Sequence, residues 1–319
     1  MAAIVAAVAA AAAGLVVGIT AVSGDRPPAA TVAATTQRSG PPPLSLDLGV
    51  RTDREAIDLR NALQLYGRER LGRAATLFRK YESLEARVGL AYAAWPTGTV
   101  SRLTQLAGLH PRSAVVQLNL GTALYWSRRA GSEAAWRSAA ELEPDTAYAV
   151  TAGDLLYPEY APKLPIFVPS ERPPAGVVAL QGKPARQLAL LERAARGDTV
   201  RDILYYGVAL QGLRKQRSAE RAYARAARIA PDNAEAQVAA AVGRFDKAQP
   251  AAAFSRLGPL TRRFPKAATV RFHLGLLLLW SGQLAAARSQ LERARAVEPG
   301  SPLAREAQRY LVRLPPAGS

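Results

Sequence analysis

The chain has 319 residues, with 42 lysines and arginines against 25 acidic residues (formal net charge +17), and is 49% hydrophobic but only 7% aromatic. It contains no cysteine, which excludes disulfides, thiolate metal sites and a cysteine nucleophile. So basic a balance invites contact with anionic membrane or nucleic acid, yet no basic motif interleaved with aromatics occurs, and a solvated arginine surface is the plainer expectation.

From the start of the chain, Ala2 to Val22 form one uncharged stretch, long enough as a helix to cross a bilayer core of about 30 Å. Two readings stay open for residues 1–23. One is a retained single-pass anchor, preferred because no positive n-region precedes the stretch. The other is a signal segment cut near Ala21-Val22-Ser23, which would export the rest. For an anchor, the first basic residues, Arg26 and Arg38, follow the span and lean towards cytoplasmic repeats. Gly14 and Gly18 make a GxxxG spacing, extended by Ala6 and Ala10, that permits a homodimer in lipid. Residues 24–52, rich in Pro, Ala and Thr, read as a flexible linker.

Beyond the linker the chain is repetitive. Pro231, Pro265 and Pro299 recur at 34-residue intervals, a period that belongs to stacked helix–turn–helix units. Upstream of these prolines the same small and large residues return: Gly207, Ala219 and Tyr223; Ala241, Ala253 and Leu257; Gly275, Ala287 and Leu291. Small residues let two helices approach, the Tyr or Leu is the knob between them, and proline ends the second helix. The segments LYYGVALQGLRKQRSAERAYARAARIAP and FHLGLLLLWSGQLAAARSQLERARAVEP resemble the tetratricopeptide repeat (TPR) family. An all-α, TPR-type solenoid of helix pairs in a right-handed superhelix is what the resemblance implies. The middle copy carries Gly258-Pro259 inside its second helix, where a kink or early stop is expected.

Residues 53–154 hold weaker copies, among them one ending at Pro144 with Gly121, Trp136 and Ala139, and one around Gly89. Residues 155–184 break the pattern with a proline-rich, irregular insertion that includes a PxxP at Pro162 and Pro165; packing into the solenoid groove or docking to another protein both suit it. Residues 185–314 carry the regular repeats and an amphipathic capping helix, and 315–319 a short tail.

Little here suggests catalysis, so a non-enzyme is expected. His110 and His273 lie far apart, and neither an HExxH nor a serine elbow occurs. His110 precedes Pro111 and suits a turn. The stretch GVVALQGKP fails as a phosphate loop because its spacing is one residue too long and Pro184 stands in the Ser/Thr place. No cofactor or metal is expected.

In TPR proteins the first helices line the concave face. By that resemblance the inward positions are Leu118, Thr122, Tyr125 and Trp126, then Leu204, Tyr205, Val208 and Gln211, then Phe272, His273, Leu276 and Trp280. These places hold mainly Leu, Val, Phe and Tyr, with Asn119 the lone Asn, so an apolar helix or extended peptide fits better than a carboxylate clamp. The expectation is a membrane-tethered adaptor that binds protein partners through an apolar-aromatic groove.

Overall fold

The computed structural model describes residues 40–314. The expected membrane segment with its Gly14/Gly18 contact, the linker before Gly40 and the tail lie outside the described residues. Among the described residues there are sixteen α-helices and no strand, and no helix is long and apolar enough to cross a membrane.

The chain divides after Leu156 into two compact units. The first contains α1 (Arg54–Gly67), α2 (Leu71–Phe78), α3 (Leu84–Tyr92), α4 (Thr99–Leu109), α5 (Ala114–Trp126), α6 (Ser132–Leu142) and α7 (Ala147–Leu156). The second contains the single-turn α8 (Ala175–Ala179), α9 (Pro184–Ala194), α10 (Val200–Gly212), α11 (Gln216–Ile229), α12 (Ala234–Val242), α13 (Ala251–Arg263), α14 (Ala268–Trp280), α15 (Leu284–Val297) and α16 (Pro302–Arg313). In each unit consecutive helices pack in pairs and each pair stacks on the next, which is the arrangement of a TPR-type solenoid.

The 34-residue period marks the ends of the second helices. Ala230, Phe264 and Glu298 cap α11, α13 and α15, and each is followed by its repeat proline, which has no N–H to continue a helix. Within a pair, closeness comes from the repeat glycine. A Cβ on Gly121 would lie 2.6 Å from Cδ1 of Trp136 and 2.8 Å from the Ser132 carbonyl. Gly207 is likewise roofed by the Tyr223 ring and Gly275 by Leu291. The knobs Trp136, Tyr223 and Leu291 are buried as a result.

Three expectations change. The α13 helix makes no early stop at Gly258-Pro259 but runs to Arg263. Pro259 is exposed, so the Ser255 carbonyl that its missing N–H would have engaged faces water. The linker reading fails over residues 40–52: Pro42 and Leu48 are buried, and Leu44 and Leu46 pack on the first unit's core. The insertion at 155–184 is not irregular throughout. α7 reaches Leu156, α8 lies inside the insertion, and Phe167 is fully buried in the second unit's core.

Part of the arginine excess has structural work. In α11, Arg225 donates to the carbonyls of Ala195 and Gly197 and to Asp198 (2.8 Å to Gly197 and 2.9 Å to Asp198). In α13, Arg263 donates to the Pro231 carbonyl at 3.0 Å and to Asp232 at 2.8 Å. These two second helices thus grip the turn that leads into the first helix of the same pair.

Gly121→Ala forces the new methyl into backbone as well as ring, and should cost about 1–3 kcal/mol of stability by overpacking. Gly153→Ala, on a helix with nothing within 4 Å of the added carbon, should be neutral or slightly stabilising. Urea midpoints of the two variants check this, and equal midpoints would contradict the close approach.

Candidate functional site

Each unit holds a non-helical segment of its own chain against its first helices. In the first unit the strap is residues 41–48, free of helix and turn. Asn119 of α5 engages Ser45 on both sides of its backbone: the Ser45 N–H donates to Oδ1 at 3.1 Å, and Nδ2 donates to the Ser45 carbonyl at 2.9 Å. The same Nδ2 donates to Val115 O at 2.8 Å, which fixes the carboxamide's orientation. Tyr66 of α1 donates its hydroxyl to the Pro42 carbonyl at 2.7 Å, and Trp126 donates its indole N–H to Gly40 O at 3.0 Å. The Asp47 N–H donates to the hydroxyl of Tyr148 on α7 at 2.9 Å.

In the second unit the strap is residues 164–169, again without helix or turn. Gln211 of α10 accepts the Phe167 N–H at 2.9 Å and donates to the Pro165 carbonyl at 3.4 Å, and the Tyr223 hydroxyl holds its Oε1 at 2.8 Å. His273 of α14 accepts the Val168 N–H through Nε2 at 2.9 Å. Its Nδ1 lies 2.8 Å from the Thr269 carbonyl, so Nδ1 carries the proton and Nε2 offers a lone pair. Tyr205 donates to the Glu171 carbonyl, the Ser170 N–H donates to Glu235, and the Ala161 N–H donates to the Trp280 carbonyl at 3.2 Å. The Phe167 ring stacks on His273 at 4.9 Å and meets the Tyr223 ring edge-on at 5.6 Å.

Burial sets the charge state of these groups. It pushes the His273 imidazole down to about 4, raises the Tyr66, Tyr148 and Tyr205 phenols, and raises Glu235 against the opposing pull of the Ser170 N–H. At neutral pH the histidine is therefore an uncharged acceptor, Tyr66 and Tyr205 are hydroxyl donors, and Tyr148 accepts the Asp47 N–H. Such an arrangement can hold an extended main chain, each hydrogen bond contributing on the order of 1 kcal/mol net, while leaving most side chains of the held segment unspecified.

The sequence-derived positions divide accordingly. Gln211 and His273 do meet a strap, while Trp126, Tyr205 and the Trp280 carbonyl bond to residues that flank the straps, Gly40, Glu171 and Ala161. Leu118, Leu204, Phe272 and Leu276 are buried within the two cores, Phe272 edge-on to Tyr310 of α16 at 6.0 Å, and Val208 is half-buried against the same packing. Thr122 turns to its own helix and to the Trp136 indole, at 3.0 and 3.4 Å. Tyr125 is 45% exposed and lies against the Trp136 ring. An open apolar-aromatic groove is therefore not what the structure presents: both seats are occupied, and the gripping groups are polar. His110 caps the end of α4, in keeping with a turn role. Sequence reading missed Tyr66, Tyr148, Thr269 and Glu235, and passed over Asn119 as a gripping residue. One signal was available. Asn119, Tyr205 and His273 each stand two residues before a repeat glycine, Gly121, Gly207 and Gly275.

Two predictions follow from this geometry. In Asn119→Ala the first strap loses its carboxamide, which should cost about 2 kcal/mol and open residues 40–52 to protease while the helices survive; an unchanged digest would argue against the clamp. The His273 value in the folded chain lies below its ordinary 6.5, so the unfolded chain binds the extra proton first. The stabilisation is complete above pH 6.5 and is lost as pH falls towards 4, by roughly 3 kcal/mol. Urea unfolding at pH 7 and pH 4 should show wild type losing that much more than His273→Asn, and identical losses would remove this account.

No protein-family model matches the sequence, and no curated protein matches it. Among solved structures the chain is similar to YrrB, a TPR protein with an unusual peptide-binding site (18% identity, TM-score 0.32, 65% of this chain and 97% of that one). It is also similar to TTC0263, a thermophilic TPR protein of Thermus thermophilus (17%, 0.26, 81% and 98%), and to the TPR2AB domain of yeast Sti1 in complex with pHSP90 (13%, 0.30, 81% and 97%). Likeness this distant carries nothing about ligands. On its own register and helix pairing, the chain is an all-α, TPR-type helical solenoid.

Proposed function

We propose that the protein is a non-catalytic adaptor that holds an extended segment of a partner protein along the first helices of its repeat stacks, tethered to a membrane by residues 1–23. One observation carries the reading: each unit grips a turn-free stretch of chain through side-chain hydrogen bonds to its backbone, Asn119 on Ser45 in one and Gln211 and His273 on Phe167 and Val168 in the other. Seats that read main chain are suited to peptides rather than to small molecules. The tether rests on the uncharged stretch Ala2 to Val22.

Crosslinking followed by affinity purification from native membranes tests both parts. Wild type should capture a defined partner, and Tyr205→Ala combined with Trp280→Ala should lose it at unchanged expression; undiminished capture would sink the groove assignment. The protein should resist alkaline extraction from membranes only while residues 1–23 are present. A mature chain beginning near Ser23 and found in the soluble fraction would replace the tether with export.

A further inference from the structure

The two straps are alike where they are gripped. The first reads Pro43-Leu44-Ser45-Leu46 and the second Pro165-Ile166-Phe167-Val168. In each, a proline and an aliphatic residue precede the residue whose N–H is accepted by a carboxamide, and a second aliphatic follows. Ser45 and Phe167 have little in common except their backbone, so the carboxamide reads main chain. The proline fixes an extended φ and removes a donor that the groove would otherwise have to satisfy.

The second seat is also incompletely matched by its occupant. Trp126 and Trp280 stand at the same register, five residues after Gly121 and Gly275. Trp126 gives its indole N–H to the carbonyl of Gly40, the residue just before the strap, whereas the Trp280 indole N–H is buried and donates to no protein acceptor. Beside the point where the strap leaves the groove, a cavity of about 250 Å³ opens between Pro169, Leu204, Tyr205 and Glu235. A buried donor without an acceptor is a standing cost that a better-matched occupant removes.

We infer that residues 164–170 are an internal stand-in for the ligand of the second unit, and that this ligand is a partner-protein segment of the pattern Pro–aliphatic–X–aliphatic, which displaces the strap and supplies an acceptor to Trp280. The inference rests on the adaptor reading above and names the ligand class of the same site. Because the strap is tethered at both ends, its effective concentration is on the order of millimolar. A free peptide of the same sequence therefore competes poorly with the intact strap and well with a weakened one.

The test uses the full chain and a fluorescein-labelled peptide of residues 162–172, followed by anisotropy. Val168→Pro removes the N–H that His273 accepts and leaves the groove residues unchanged. Phe167→Ala empties the ring site as a second, independent weakening. Each variant should bind the peptide at least about tenfold more tightly than wild type, a scrambled peptide should not bind, and adding Gln211→Ala should abolish the gain. Variants with wild-type helicity that bind no better than wild type would make the strap a permanent staple and overturn the inference. So would equal binding of the scrambled peptide, or variants that dimerise by exchanging straps, since the occupant would then be a second copy. Membrane capture that depends on Tyr205 and Trp280, with no peptide binding by either variant, leaves the adaptor reading intact and removes only this one. Peptide binding without any captured partner removes the adaptor reading and, with it, the partner-protein ligand, leaving only a displaceable strap.

Discussion

A stretch of chain that is neither helix nor strand can enter an apolar interior only if its N–H and C=O groups find partners there. Both units meet this requirement in the same way, with side chains of the first helices standing in for the neighbouring strand that a sheet would have provided. Asn119 is the fullest case, since one carboxamide satisfies the donor and the acceptor of a single residue. The orientation of these groups depends in turn on helix carbonyls and on Tyr223, which joins the knob-and-glycine packing to the grip on the strap. Loosening a helix pair would therefore loosen the strap, because Tyr223 touches Gly207, Gln211 and Phe167 at once.

The fold was legible in the sequence because its cause is local and periodic. A glycine under a ring and a proline after a helix leave the same mark every 34 residues, and Gly207, Tyr223 and Pro231 are enough to place a pair. The site was legible only in part. Register places Tyr205, Gln211 and His273 on the inner face, but it cannot show what covers them, because a strap is held by main-chain atoms that all sequences share. Residues 40–48 look like a continuation of a polar, proline-rich tether, and only the alternation of Leu44, Leu46 and Leu48 hints at a buried face. Pro259 misled for a related reason: the cost of proline in a helix depends on whether the orphaned carbonyl meets water, and that depends on which face it occupies.

The polar character of the grip also changes what selectivity the seats can have. Hydrogen bonds to backbone set position and direction along the groove, while discrimination falls to the few side chains that enter it, as Phe167 does between His273 and Tyr223. An uncharged His273 is part of this, since a protonated ring would set one donor against another at the Val168 N–H.

The arginines that grip turns separate two properties that composition alone would merge. Exchanging Arg225 for lysine would leave the net charge untouched, yet Arg225 reaches the Ala195 carbonyl through one terminal nitrogen and Gly197 and Asp198 through the other, a spread that a single ammonium cannot cover. In a stacked array, stability is the sum of what each repeat contributes and what neighbours contribute to one another. Arg225 reaches Ala195, the C-cap of α9, at the turn where one repeat passes into the next, so its contacts belong to the second part. Without them the second unit would melt over a broader range of temperature, its repeats parting company one at a time rather than together.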